Sequence, residues 1–376
     1  MKLSGFSGLR GLAALMVVYY HLNQHRNTVN LPEWSWDMYQ FTEHIVFVVS
    51  VFFIFSGFFR SLSYWKVIFL WGEMRSFRAD IRDRFFRIAP LYYVSLLATF
   101  LLVWLVQWYD TSAFLRLFSG MTFTSWMSSE TFFPVDINGP LWFISFDMVG
   151  WLMVSGMMAF LVRVSSWTLR ILLIILYPLV LTAWHFAWTS LPWSLAPGIA
   201  WEWFPTYNPF LFGLHFYIGL LLGGAIMFFR ERKVHILNDI FILLMTSVWA
   251  YMLWNIRSSD DWSHSMPIGP YHFPYSAIIF WLICFSLPLT RYLARWFDNR
   301  ILIFYGRISY ALYLIHMLII FLLRKYIFLW EQLWFYNWSL FAVCALLLST
   351  AIAAIISRYI EYIDYKSLWW KKKPQN

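Results

Sequence analysis

Long apolar runs separated by short polar segments dominate the chain. A bilayer core about 30 Å thick requires roughly 20 apolar residues per helix. Ten segments approach that length. The predicted spans are residues 10–24, 44–60, 86–107, 140–162, 169–189, 208–229, 236–256, 273–289, 301–322 and 338–360. The pattern therefore predicts an all-α integral membrane protein, a bundle of about ten transmembrane helices.

The first apolar run has some features of a signal peptide, because Lys2 and Arg10 precede it. The residues that follow the run begin with His21 and contain no small-x-small cleavage site. We therefore interpret this segment as an uncleaved first helix.

Basic residues fall mainly on one side of the predicted bundle. If the N-terminus is cytoplasmic, all but five of the 28 Lys and Arg residues lie in cytoplasmic segments. Cytoplasmic loops of membrane proteins carry this excess of positive charge. With an even number of spans, loops alternate between a basic cytoplasmic side and a less basic outer side along the whole chain. We therefore predict that both termini are cytoplasmic.

Composition supports the membrane interpretation and excludes other classes. Charged residues make up 12% of the chain, about half the ~25% of ordinary domains, which is too little for a soluble protein of this size. The net charge of +9 does not indicate nucleic-acid binding, because the basic residues punctuate apolar runs. Both cysteines lie in apolar runs, so we predict no disulfide framework and no metal site. One transmembrane domain over residues 1–376, without an appended extracytoplasmic domain, is expected.

Three ionisable residues inside predicted spans are candidates for function, because such groups are costly in lipid. They are His21, Asp147 and His316. His21 lies about 16 Å along the helix from Arg10, near the middle of the bilayer.

Two arginines mark one end of the third predicted span. Arg84 and Arg87 are spaced i and i+3 and share one helix face. Paired guanidinium groups suit phosphate oxygens, and Arg75, Arg78 and Arg82 extend the basic surface. Cytoplasmic loops are basic in any case, so position alone does not assign these residues to a ligand.

Five motifs, in order along nearly the whole chain, together resemble the membrane acyltransferase family 3. The first begins at Ser7-Gly8-Leu9-Arg10-Gly11 and ends at His21. The others are Phe53-Ile54-Phe55-Ser56-Gly57-Phe58, Arg84-Phe85-Phe86-Arg87-Ile88-Ala89-Pro90-Leu91-Tyr92, Pro140-Leu141-Trp142-Phe143-Ile144-Ser145 and Ser309-Tyr310 through His316.

The resemblance implies an O-acetyltransferase of the bacterial inner membrane. Acyl-CoA, usually acetyl-CoA, would be the donor substrate, with no bound cofactor, and a sugar hydroxyl on a surface polysaccharide or glycolipid would be the acceptor. His21 matches the proposed catalytic histidine, and Arg84 and Arg87 match the pair that serves CoA. To these we add Arg10 as a donor-binding residue and Asp147 as a second catalytic candidate. The expected pocket-lining residues are Ser56, Gly57, Trp142, Ser145, Tyr310 and His316.

The fourth motif departs from the family pattern. Two acidic residues usually follow its Ser-x pair, whereas this chain has Asp147 and then Met148. Any role that requires both carboxylates is therefore in doubt.

A histidine suits acyl transfer, because an imidazole accepts a hydroxyl proton near neutral pH. A carboxylate such as that of Asp147 can orient the ring, as the acid does in hydrolytic triads, and the sequence leaves open whether Asp147 and His21 touch. Direct transfer and a covalent acyl-enzyme both stay open.

Other interpretations stay open at this point. His21 and His316 can be helix-packing residues, and Ser56-Gly57 and the segment from Gly219 to Gly223 are typical of close helix contacts. A transporter or flippase for a lipid-linked glycan is the alternative function. A second family of membrane acyltransferases would make His316 the essential residue instead of His21.

Overall fold

The computed structural model of the protein describes residues 3–26, 41, 44–70, 76–106, 112–133, 136–189, 209–229, 233–255, 274–328 and 335–361. Within these ranges the secondary structure is helical, and no strand occurs. The helices of ten or more residues in the described ranges are α1 (Phe6–Asn23), α2 (Val49–Leu70), α3 (Phe77–Val106), α4 (Ser112–Met121), α5 (Trp142–Arg163), α6 (Trp167–Thr189), α7 (Pro209–Phe228), α8 (Ile236–Asn255), α9 (Tyr275–Ser286), α10 (Arg300–Tyr326) and α11 (Phe335–Ile356).

Each predicted span overlaps one of these helices, and only α4 lies outside the predicted set. Within the described ranges, six segments are long and apolar enough to cross a membrane: Val49–Leu70, Phe77–Leu105, Asn138–Arg163, Ile236–Trp254, Arg300–Tyr326 and Asn337–Tyr359. Trp167–Ala183, Phe212–Phe228 and Tyr275–Leu289 are shorter apolar helices. The protein is thus an all-helical, multi-pass membrane protein, whereas ten crossings and cytoplasmic termini stay predictions.

The second span continues beyond its predicted end. Residues 44–60 were expected to end at Arg60, but α2 runs on to Leu70. Arg60 does not end the helix because its guanidinium group is paired inside the bundle, 2.7 Å from Asp80 Oδ2 on α3. The same contact explains why α3 begins at Phe77, nine residues before the predicted start.

Glycines allow two helix pairs to approach closely. A Cβ added at Gly57 of α2 would lie 2.1 Å from the carbonyl oxygen of Phe216 on α7, and one added at Gly219 would lie 2.0 Å from that of Ile54. In the contact between α1 and α10, a Cβ at Gly11 would lie 2.1 Å from the carbonyl oxygen of Leu302. These distances are far below ordinary contact, so the prediction of small-residue helix contacts is confirmed.

Gly219→Ala is expected to destabilise the protein by about 1–3 kcal/mol, because the added methyl group must push α2 and α7 apart. The measurement is thermal unfolding of the purified full-length protein in detergent. Gly156→Ala is the matched control, because a Cβ at Gly156 meets no atom within 4 Å. Equal unfolding temperatures for the two variants would contradict the close contact.

Candidate active site

A cavity of about 540 Å³ lies among α1, α2, α3, α5 and α10. Its lining combines four arginines and three aspartates with aromatic side chains. Six of the predicted site residues line it: Arg10, Ser56, Arg84, Arg87, Asp147 and Tyr310. The cavity therefore brings together residues from all five sequence motifs.

Asp147 is the centre of the polar contacts in this cavity. Arg84 Nη2 of α3 donates to its Oδ2, and Ser56 Oγ of α2 donates to its Oδ1. The Asp147 side chain is 5% exposed and that of Arg84 is 21% exposed. An unpaired carboxylate at such depth is strongly unfavourable. The ion pair with Arg84 therefore stabilises the buried Asp147 side chain in the cavity wall.

Arg60 forms a second ion pair in the same wall. Its Nη2 donates to Asp80 Oδ2 at 2.7 Å, and its Nε donates to Ser155 Oγ at 2.6 Å. The guanidinium carbon also lies 4.7 Å from the centre of the Trp151 ring and 4.5 Å from that of Tyr64, distances at which a cation is attracted to an aromatic face. Arg60 is thus held on several sides by α2, α3 and α5.

Arg10 and Arg87 are the other two arginines of the cavity lining. Arg10 Nε donates to the carbonyl oxygen of Gly306 at 2.9 Å, which connects α1 to α10. Arg87 is exposed, and it forms no ion pair with any residue that the structure describes. Of the lining arginines, Arg87 is therefore well suited to bind an anion that enters the cavity.

His21 and His316 lie side by side, with ring centres 5.1 Å apart. His21 Nδ1 is 3.2 Å from Gln24 Oε1. His316 is fully buried, and its Nδ1 lies 2.9 Å from the carbonyl oxygen of Tyr313 and 3.1 Å from that of Leu312. The two histidines form an imidazole pair between α1 and α10.

Tyr313 separates the cavity from the imidazole pair. It lines the cavity, whereas His21 and His316 are not lining residues. The Tyr313 ring centre is 5.9 Å from that of His316, and its hydroxyl donates to the carbonyl oxygen of Pro140 at 2.6 Å. A continuous row of rings therefore leads from the cavity through Tyr313 and His316 to His21.

Asp147 and His21 form no hydrogen bond with each other in the described part of the chain. Both carboxylate oxygens of Asp147 bind other side chains, Arg84 and Ser56. The side-chain partner of His21 Nδ1 is Gln24 instead. Among the described residues, therefore, Asp147 and His21 do not form a Ser-His-Asp type of arrangement.

Gly57, Trp142 and Ser145 lie in the packing around the cavity and do not line it. Gly57 faces the backbone of Phe216 at the contact between α2 and α7. Trp142 stacks on Phe132 with ring centres 5.1 Å apart. Ser145 accepts a hydrogen bond from Ser125 Oγ at 2.8 Å. Their place in the motifs therefore reflects helix packing next to the site.

Sequence reasoning missed Arg60, Asp80, Tyr313 and Gln24. An arginine within an apolar run was a usable signal for Arg60, which was instead counted among the cytoplasmic basic residues at the end of the second span. The i, i+3 spacing of His21 and Gln24 on one helix was another signal. The contacts of Asp80 and Tyr313 depend on how neighbouring helices pack, which the sequence pattern alone does not contain.

The sequence model of a family described as an acyltransferase domain, the acyltransferase family 3, matches residues 3–358. No curated protein and no solved structure matches the chain.

Asp147→Asn is expected to destabilise the protein by about 3 kcal/mol, because it leaves the Arg84 guanidinium without its counter-charge in a largely buried position. The double variant Arg84→Gln/Asp147→Asn should recover part of that loss. Thermal unfolding of the four proteins in a double-mutant cycle measures the coupling.

The comparison for this cycle is the neighbouring pair Arg82–Asp83, with a longer N–O distance of 3.6 Å and side chains that are 48% and 18% exposed. Its coupling should stay below about 1 kcal/mol. A coupling between Arg84 and Asp147 no larger than this would show that the pair does not stabilise the cavity.

Proposed function

The chain belongs to the acyltransferase family 3, and we propose that it transfers an acetyl group from acetyl-CoA to a hydroxyl of a surface glycan. Family membership supports acyl transfer in general. The observation that carries the specific donor is the arginine-lined cavity of about 540 Å³ inside the helical bundle. The donor enters from the cytoplasm, and the acceptor is a polysaccharide or glycolipid on the outer side of the bacterial inner membrane.

The phosphate groups of CoA bind at Arg87 and Arg10. A guanidinium group offers several N–H donors to phosphate oxygens, and Arg87 has no carboxylate partner in the described ranges. Arg84 adds positive potential, although Asp147 already occupies its Nη2. The two motif arginines thus have different roles. Arg87 binds the phosphate groups, whereas Arg84 stabilises the cavity wall through its ion pair with Asp147.

The apolar part of the cavity suits the pantetheine arm and the acyl group. Phe52, Phe143, Ile144 and Tyr313 line this part. Tyr313 contacts Phe143, with ring centres 5.2 Å apart, so these side chains form a wall against which a thioester can lie. The thioester reaches the imidazole pair only when the Tyr313 side chain moves aside.

His21 is the base in the transfer step. Its imidazole takes the proton of the acceptor hydroxyl while the oxygen attacks the thioester carbonyl carbon. A C–O bond forms and the C–S bond breaks, and the CoA thiolate that leaves receives the proton back from the imidazolium. Direct transfer of this kind needs no further reactant.

Glycan transport is the weaker candidate. It requires charged groups that bind substrate near the midplane, whereas Arg60, Arg84, Asp80 and Asp147 bind one another. Membership in an acyltransferase family also favours group transfer over transport.

Arg87→Ala is expected to weaken the binding of CoA about tenfold, because a charge-assisted hydrogen bond to phosphate is lost. Isothermal titration of the purified protein with CoA measures the effect. Arg163→Ala is the control, since Arg163 is an exposed basic residue at the end of α5 and does not line the cavity. Equal dissociation constants for the two variants would contradict the donor site.

His21→Ala is expected to abolish acetyl transfer, because no base accepts the hydroxyl proton. Mass spectrometry of surface glycans from cells that express the variant measures acetyl content, and the amount of glycan should not change. Loss of the glycan itself from the surface would favour transport. Full acetylation in the variant would remove His21 from the mechanism.

A further inference from the structure

The last turn of α1 places a glutamine against the His21 ring. Gln24 Oε1 is 3.2 Å from His21 Nδ1, and Gln24 Nε2 donates to the Tyr20 hydroxyl at 2.9 Å. The spacings i, i+3 and i, i+4 put these three side chains on one helix face. The Gln24 amide is therefore anchored to Tyr20 through its nitrogen, and its oxygen is directed at His21.

These contacts select one tautomer of His21. In the structure the Gln24 NH₂ group faces the Tyr20 hydroxyl, and the carbonyl oxygen, which only accepts hydrogen bonds, faces His21. His21 Nδ1 must then carry the proton, and Nε2 carries the lone pair. Nε2 is consequently the nitrogen that can act as the base.

The neighbouring His316 is the reason that the tautomer of His21 matters. Its Nδ1 donates toward the carbonyl oxygens of Leu312 and Tyr313, so its Nε2 is an acceptor. That Nε2 is buried and has no hydrogen-bond partner in the described part of the chain. A buried acceptor without a partner is unfavourable, so it attracts any donor nearby. Without Gln24, the N–H group of His21 would be free to turn toward it.

We propose that Gln24 is a positioning residue for acyl transfer, which holds His21 in the Nδ1–H tautomer and keeps its Nε2 available as the base. The inference rests on the proposed role of His21. It assigns to an uncharged amide the orienting task that a carboxylate performs in hydrolytic triads. Asp147 is not needed for that task, because it pairs with Arg84.

The surroundings of His21 leave the amide as its main polar partner. The titratable side chains on the described elements packed around it are His316 on α10, His25 on its own turn and His44 on the neighbouring 3₁₀ turn His44–Val48. Burial and the nearby Arg324 guanidinium lower the pKa of His25 to about 4, so His25 is neutral near pH 7.

A direct test is the tautomer of His21. Solid-state NMR of the full-length, ¹⁵N-histidine-labelled protein in lipid distinguishes Nδ1–H from Nε2–H, and the spectrum of His21→Ala assigns the signal. We expect the Nδ1–H form in the native protein and a mixture of both forms in Gln24→Ala. An Nε2–H form in the native protein would overturn the proposal without any reference to activity.

The kinetic test replaces the amide by a carboxylate. In Gln24→Glu the negative charge stabilises the His21 imidazolium, so the rising limb of the pH–rate profile should move to higher pH. Gln24→Ala should lower kcat on the order of tenfold to a hundredfold, less than the ~10⁴-fold loss seen when a buried triad carboxylate is neutralised. The KM for acetyl-CoA should not change, because Gln24 does not line the donor cavity.

The assay is the transfer of labelled acetyl from acetyl-CoA to endogenous acceptor in membranes that contain the full-length protein. His25→Ala is the control on the same turn, and its kcat near pH 7, where His25 is neutral, should match that of the native protein. If His21→Ala is inactive while both Gln24 variants match the native rate and profile, the inference fails and the proposed function stands. If His21→Ala is active, the proposed function itself fails.

Discussion

Charged groups inside a membrane bundle must be paired, and this constraint organises the helices around the cavity. Arg60 on α2 binds Asp80 on α3, and Arg84 on α3 binds Asp147 on α5. Each pair is costly to break, because the partner left behind keeps an uncompensated charge. The two pairs therefore connect three helices at the depth where the cavity lies, and they leave Arg87 for a ligand.

The same arrangement divides the interior into two regions with different chemistry. On one side of Tyr313 lies the cavity with its arginines, and on the other side lie His316 and His21. A donor and an acceptor that approach from opposite sides of a membrane would meet at such a boundary. In the proposed mechanism, the Tyr313 ring would keep the thioester away from the acceptor side until both substrates are present, which would limit hydrolysis.

Much of the helix pattern was predictable, because transmembrane segments follow from the length of apolar runs. The motif residues were also found, including Arg84, Asp147 and Ser56, which three separate helices bring into contact. The partner of Asp147 was not predictable, since it depends on how α3 and α5 are rotated against each other. The end of the second span at Arg60 was wrong for a related reason, as its counter-charge lies on another helix.

The central claim is that a donor bound at the arginines extends past Tyr313 to His21. The most direct measurement is a cryo-EM structure of the full-length protein in lipid with a non-hydrolysable acetyl-CoA analogue. We predict density for the CoA phosphates at Arg87 and Arg10, a displaced Tyr313 side chain, and the acyl group next to His21. CoA bound elsewhere would contradict the account. So would an acyl group that stops in the cavity while the Tyr313 hydroxyl is still hydrogen-bonded to the carbonyl oxygen of Pro140.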